Sequence, residues 1–345
     1  MQTPGLIGGL LGIEEITNKP TKEPGFFDGR HLRLADARSG IWLLVELLSP
    51  KNVWMPSFVC KVMIEAVEKA GVPVCHFDLN YDMKLNSLDW IDQVQPNDLV
   101  IIVDYMGYPS ETDCVNQLRE KKAWILDDAS QAWPSNVQAN IADFTLYSPR
   151  KLLGLPDGAV LCFQSNSTLM SDVNLKPPPT DWIMKSLAVV QRRRDFDRWN
   201  GTDPWQELFK EVNDTFPLGP YQMSEFSHAM MTHGINFENI AHRRNENYLV
   251  LNELLQDIAL FPNSGPKMVP LGFPIRVSDR QNLQDHLLNH NISTGVNWNL
   301  EGYISDVHEE SHRLAKDIMT LPCDQRYSKD DMVYIAETIN NHIKQ

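Results

Sequence analysis

The sequence predicts an α/β protein: a three-layer α/β/α part built on a mostly parallel sheet, followed by a smaller α+β part. Three observations predict it. Short apolar runs bounded by turn residues alternate with amphipathic stretches of about ten residues, from Arg38 to about Phe163. That alternation is the pattern of a parallel sheet with helices on both faces. The run Leu99-Val100-Ile101-Ile102-Val103 is apolar without a break, as buried parallel strands are. The Pro177-Pro178-Pro179 tract then interrupts the alternation, and long helical stretches dominate after it.

Each element has its own signal. Residues 38–48 predict an amphipathic helix entered through small residues, and 53–57 a short strand. Residues 58–70 predict a helix closed by Gly71, and 72–78 the next strand. Asn97-Asp98 leads into the apolar run, which ends at Asp104-Tyr105; residues 111–121 predict a helix. Residues 124–126 begin a strand ending in Asp127-Asp128. Residues 144–147 form another, leading into Ser148-Pro149-Arg150-Lys151 and a Pro-Asp-Gly turn. Beyond the prolines, 242–254 predict a helix joining a smaller part, with a strand near 273–277, a helix near 282–290 and a last helix from Lys329. The expected division is a large part, 1–240, and a small one, 241–345.

Composition narrows the function. With 345 residues, 42% hydrophobic and 22% charged, the chain suits a large soluble enzyme. A net charge of −14 argues against nucleic acid as a partner. No run of 18 apolar residues suggests a membrane span. The apolar start at 6–13 lacks a basic flank and ends in Glu14-Glu15, which reads as mature sequence rather than a signal peptide. Five scattered cysteines without CxxC spacing fit reduced thiols in the cytoplasm.

Two neighbouring strand ends would deliver an acid, Asp128, and an amine, Lys151, to one crevice, where open α/β sheets place ligands. Such a pair suits pyridoxal 5'-phosphate (PLP): the lysine forms a Schiff base and the acid keeps the pyridine nitrogen protonated. It equally suits a salt bridge at a sheet edge. Asp127 competes with Asp128 as the acid, since alternation sends the two side chains to opposite faces.

The segment ILDDASQA, from Ile125, resembles the (I/V)-(E/D)-D-A-(A/S)-(Q/H)-A segment of the DegT/DnrJ/EryC1/StrS sugar aminotransferases. DFTLYSPRKLLGLPDGAVL, from Asp143, resembles that family's lysine segment. RSGIWLL, VWMPSFVCKVMIEAVEKAGVPVCHFDLN, GPYQMSEFSHAMM and IMTLPCDQRYSKDDM resemble further family segments in the family's order, so the likeness runs over roughly residues 30–345. The resemblance implies the fold-type I architecture of PLP enzymes and a cytoplasmic homodimer with shared active sites. It implies amino transfer from an amino acid such as glutamate to a keto sugar on a nucleotide, as in polysaccharide biosynthesis. Another PLP reaction, such as sugar dehydration, or a catalytically silent sugar-nucleotide binder is the alternative.

Site residues follow from the same resemblance. Lys151 would be the Schiff-base lysine and proton shuttle, and Asp128 the partner of the pyridinium nitrogen. Gln131 would lie against the cofactor ring or its phenolic oxygen, the other reading being a helix-start cap. Thr145 stands where the family has a phosphate-contacting serine. The helix start around Arg38-Ser39 would supply amides and dipole to the phosphate. Phe58 or Cys60 falls at the position of a ring-stacking aromatic, Phe58 by chemistry and Cys60 by ungapped alignment.

The chain departs from the pattern in places. Ungapped, the family lysine falls on Arg150, which cannot form a Schiff base; an R-K-x-L-x-x-P-D-G form of the segment puts the lysine at Lys151. Pro220 replaces an asparagine that reaches a phosphate across the dimer, and the phosphate loop lacks its threonine but has Arg38 nearby. An arginine there could pair with the phosphate or with a substrate carboxylate. Two further motifs are set aside. His308-Glu309-Glu310-Ser311-His312 spells HExxH, but its polar flanks fit a solvated helix better than a zinc site, so no metal is expected. Arg192-Arg193-Arg194, with Asp195 and Asp197, reads as a solvated, salt-bridged helix face rather than a nucleotide site. Trp298 reads as core rather than as a platform for a substrate ring.

Overall fold

The computed structural model describes residues 5–17, 25–110, 112–133, 142–165, 167, 169–199, 204–262 and 269–344. Its strands, in chain order, are β1 (Ile7–Gly8), β2 (Arg30–Leu34), β3 (Val53–Pro56), β4 (Val74–Phe77), β5 (Leu99–Val103), β6 (Trp124–Ala129), β7 (Phe144–Tyr147), β8 (Ala159–Phe163), β9 (Phe273–Arg276), β10 (Ile292–Ser293) and β11 (Ile318–Leu321). Its α-helices are α1 (Ala37–Leu48), α2 (Lys61–Lys69), α3 (Val115–Glu120), α4 (Thr180–Trp199), α5 (Trp205–Asp214), α6 (Glu225–Ala229), α7 (Phe237–Leu254), α8 (Arg280–Asn289), α9 (Glu309–Asp317) and α10 (Lys329–Ile343).

Seven strands form the central sheet in the order β2-β8-β7-β6-β5-β3-β4. β3 to β7 run parallel, while β8 is antiparallel to both its neighbours. All five residues of β5 are buried, as expected of a central parallel strand. β8 shows why the architecture has three layers. Ala159, Leu161 and Phe163 enter the core beneath α1 and α2, whereas Val160 and Cys162 enter a second core with Phe26, Met230 and Phe237. Alternate side chains of one strand thus feed two covered faces. The edge strand β2 carries Arg30, His31 and Arg33 in five residues, a polar pattern that suits an edge and hides it from hydrophobic periodicity.

A further core lies among β9, β11, α7, α8 and α10 and takes in Ile7 of β1. α10 starts with a capping box between Ser328 and Asp331. The helix expected over 58–70 begins only at Lys61, because Pro56 and the buried Ser57 and Phe58 continue the strand's exit. The helix expected over 111–121 spans Val115–Glu120, and Glu111 lies outside the described residues. α7 begins at Phe237, where Asn236 caps it, five residues ahead of the expected start.

Candidate active site

The register of β6 decides which aspartate faces where. Asp127 lies opposite Ile102 and Thr145, and Asp128 opposite Val103 and Leu146. Leu146 meets Gly40 of α1, where an added Cβ would come within 2.8 Å of its Cδ1, so Gly40 lets the helix lie against β7. Asp128 therefore shares the face covered by α1, and Asp127 the opposite one. Asp127 is 5% exposed, and its Oδ1 has no hydrogen-bond partner among the described residues. Burial, with Asp104 and Asp128 nearby, holds its carboxyl well above the usual range, in the neutral form. Asp128 Oδ1 accepts from the Ser130 amide at 3.1 Å. Asp104, at the end of β5, accepts from the Ser110 amide at 2.7 Å. Burial raises Asp104 to about 6, with Asp128 adding to the shift.

β7 ends at Tyr147, and Pro149–Lys151 form a single 3₁₀ turn in which the Lys151 amide bonds Ser148 O at 3.0 Å. Successive side chains of such a turn diverge by about 120°, so Arg150 and Lys151 part company. Arg150 turns to the start of α1, with its Cζ 5.5 Å from the centre of the Phe216 ring. Arg38 lies over the same ring at 4.0 Å. Lys151 is exposed, with Asp128, Cys60, Arg150 and Arg38 near enough to act on its amine. Burial lowers its pKa from the ordinary lysine value; Asp128 and Cys60 raise it part of the way back, while Arg150 and Arg38 lower it. The structure thus brings Asp128, Cys60, Arg38, Arg150 and Lys151 into one electrostatic neighbourhood.

One amide at the start of α1, that of Ser39, is already engaged. Asp36 caps the helix, taking the Ser39 amide on Oδ1 at 3.0 Å and the Ser39 hydroxyl on Oδ2 at 2.8 Å. Ser39 is fully buried in that cap. Arg38 stands 3.9 Å from the same carboxylate, and Arg150 makes no hydrogen bond or ion pair among the described residues. Two guanidiniums also stand here as donors for an anion: Arg38 lowers the affinity of Arg150 for a proton, and both lower that of Lys151. This set fits the phosphate of PLP: guanidiniums bind phosphate in a bidentate fork. Arg38 and Arg150 would hold the phosphate, Asp128 the ring nitrogen and Lys151 the aldehyde carbon.

The remaining sequence candidates are dispersed. Cys60 is the residue before α2 and lies close enough to Lys151, Arg38 and Tyr303 to influence them, so it borders the site. Phe58 is fully buried, with Tyr105 at 5.8 Å and Trp298 at 5.1 Å between ring centres. Trp298 is half-buried against this aromatic cluster. Gln131 is buried, its Oε1 accepting from the Met106 amide at 3.0 Å, which ties the end of β6 to the loop after β5. Thr145 pairs with Asp127 and Cys162, on the sheet face opposite Asp128. Sequence reasoning missed Asp36, Phe216 and the role of Arg150. The Asp36 cap had a signal, an acid three residues before Ser39; Phe216 had none.

The motifs set aside behave as follows. His308 lies outside α9 as its N-cap residue and bonds Asp78 at 2.5 Å, while His312 stands 3.8 Å from Asp306. Among the described residues no group of three His, Cys, Asp or Glu could hold a metal. Arg193 corrects the reading of its run as a solvated face. It is fully buried, paired with Asp197 at 2.7 Å, bonded to Gly8 O at 2.9 Å and set over Trp205.

Sheet order, the antiparallel β8 and the acid–lysine pair define the fold-type I class of PLP enzymes, and solved aminotransferases share this fold. Helicobacter pylori PseC, an aminotransferase involved in the biosynthesis of pseudoaminic acid, matches with a TM-score of 0.66 at 13% identity, covering 95% of this chain and 92% of that one. The PLP form of the putative sugar aminotransferase Spr1654 from Streptococcus pneumoniae matches at 0.65 and 14%, covering 95% and 92%. DesI, in the presence of its TDP-sugar product, matches at 0.65 and 17%, covering 92% and 81%. No curated protein sequence matches the chain. Residues 51–340 match the DegT/DnrJ/EryC1/StrS aminotransferase family, and the chain belongs to it.

Proposed function

We propose that this chain is a PLP-dependent aminotransferase that moves an amino group from an amino acid, glutamate, to a keto sugar carried on a nucleotide. The observation that carries the reading is the meeting of Lys151 and Asp128 beside two guanidiniums, Arg38 and Arg150, that flank one phenyl ring. The family supports amino transfer, and the TDP-sugar product of DesI supports a nucleotide-linked substrate. On this reading the chain divides into a cofactor-binding part, 1–240, and a smaller part, 241–345. It works as a homodimer in the cytoplasm. Exposed Met184 and Trp199 on α4 suit a face that a second copy covers, and all five cysteines are free.

PLP, when bound, supplies an electron sink that makes the bonds at the amine-bearing carbon labile. The chain's own groups do the rest. The lowered pKa of Lys151 leaves more of its amine unprotonated at neutral pH, able to attack a carbonyl and afterwards to carry a proton. Asp128, open on its Oδ2 among the described residues, holds a proton on a ring nitrogen as its ion-pair partner. Asp127 lies on the other face, where burial and the neighbouring aspartates push its carboxyl toward the protonated form. Arg38 and Arg150 bind the dianion and fix its register against Lys151.

The test uses 15N-glutamate with the PLP-loaded protein and a panel of nucleotide-linked keto sugars. The expected result is 15N in an amino sugar nucleotide, with one 2-oxoglutarate released per nitrogen transferred. A loaded protein that transfers no nitrogen from any amino acid to any member of the panel overturns the reading.

A further inference from the structure

The backbone just beyond Lys151 is gripped from three distant parts of the chain. Leu152 O accepts from Arg244 Nη2 of α7 at 2.9 Å and from Gln325 Nε2, on the segment before α10, at 3.2 Å. Two residues on, the Gly154 amide donates to Glu14 Oε1 at 2.9 Å, and Glu14 returns its own amide to Gly154 O at 3.3 Å. The three gripping side chains are joined to each other. Gln325 Nε2 donates to Glu14 Oε1 at 2.6 Å, and Arg244 Nε donates to Gln325 Oε1 at 2.7 Å. Arg244 is 1% exposed and also bonds Pro270 O and Leu271 O at 3.0 and 3.1 Å, on the approach to β9. Contact is so close that a Cβ on Gly154 would lie 1.7 Å from Gly12 O. The 3₁₀ turn itself spans a single turn and its bonds reach only to Ser148 O and Pro149 O. The segment after Lys151 is therefore oriented from outside.

We propose that Glu14 is a positioning residue for Lys151: with Gln325 and Arg244 it clamps the 152–154 backbone and so sets where the lysine amine stands between Asp128 and the two arginines. Glu14 Oε1 is the single acceptor shared by the Gly154 amide and Gln325, so the N-terminal segment closes the clamp. The proposal rests on Lys151 being the reactive amine, and its test does not need bound cofactor.

The rate at which trinitrobenzenesulfonate labels Lys151 in the full chain is followed against pH by peptide mass spectrometry, with exposed Lys61 as internal control. Amine reactivity follows the unprotonated fraction, so the midpoint reports the charges around Lys151. Glu14→Ala is expected to move the Lys151 midpoint by about half a pH unit or more, roughly a threefold change in rate at fixed pH, and to leave Lys61 unchanged. Glu14→Gln keeps the acceptor oxygen and is expected to restore the wild-type midpoint. If Glu14→Ala does not fold, Gln325→Met, which removes the shared donor at similar volume, is expected to give the same shift. A folded Glu14→Ala or Gln325→Met with the wild-type midpoint overturns the proposal. So does a Glu14→Gln that behaves like Glu14→Ala, or failure of both truncating variants to fold, which would make the contacts purely structural. Absence of a PLP adduct on wild-type Lys151 would defeat the functional reading and leave this test standing.

Discussion

Arg150 and Lys151 are adjacent in sequence and separate in chemistry. Arg150→Met is expected to weaken PLP binding about tenfold or more, the scale of one charge-assisted contact, while the adduct on Lys151 still forms at saturation. Fluorescence titration with PLP and with unphosphorylated pyridoxal checks this, since only PLP should lose affinity. The sequence favours Lys151 over Arg150 through the R-K-x-L-x-x-P-D-G form of the segment, while the 3₁₀ turn that parts the two side chains is announced by no periodicity. The choice between Asp127 and Asp128 was more legible, since strand alternation fixes faces once the register is known. Asp104 gives a pH prediction. Its folded pKa is raised from 3.8 to about 6, so the folded state holds that proton more tightly than the unfolded chain does. The resulting stabilisation is complete below about pH 4 and is lost as pH rises through about 6. Asp104→Asn keeps an acceptor for the Ser110 amide and has no charge to bury. It should match wild type near pH 4 and exceed it by about 2 kcal/mol above pH 6, in urea unfolding across pH.

At the scale of elements, parallel strands β3, β5, β6 and β7 were legible because their apolar runs are short, buried and bounded by turns. β2 was not, because an edge strand with Arg30 and Arg33 carries no core pattern. The start of α1 was legible as a helix and was read as a phosphate site, but the Asp36 cap within it was not foreseen. Its cap is an internal carboxylate that takes the Ser39 amide and hydroxyl. The loop that follows Lys151 depends on close backbone approach. Gly154→Ala is expected to destabilise the fold by about 3 kcal/mol, since the obstructing atom is the Gly12 carbonyl rather than a flexible side chain. A thermal melt against wild type checks this, and a melt within a degree of wild type would contradict it.

Across the whole molecule, charge and fold have to be weighed together. The chain carries a net −14, yet beside the start of α1 it places two guanidiniums around one phenyl ring, with the Asp36 carboxylate next to them already serving as a helix cap. Two guanidiniums set side by side at a helix start suit an anionic ligand. The order of the segments made the architecture readable, whereas the contacts that converge on Leu152 and Gly154 from Glu14, Arg244 and Gln325 join residues 92 to 173 positions apart and leave no local pattern. The central claim is that Lys151 is the amine that holds the cofactor. The most direct measurement is borohydride reduction of the purified full chain after incubation with PLP, followed by mass spectrometry of its peptides. The account predicts one pyridoxyl adduct per chain, on the peptide containing Lys151, and none in Lys151→Ala. No adduct in the presence of excess PLP, or an adduct confined to another lysine, would contradict it.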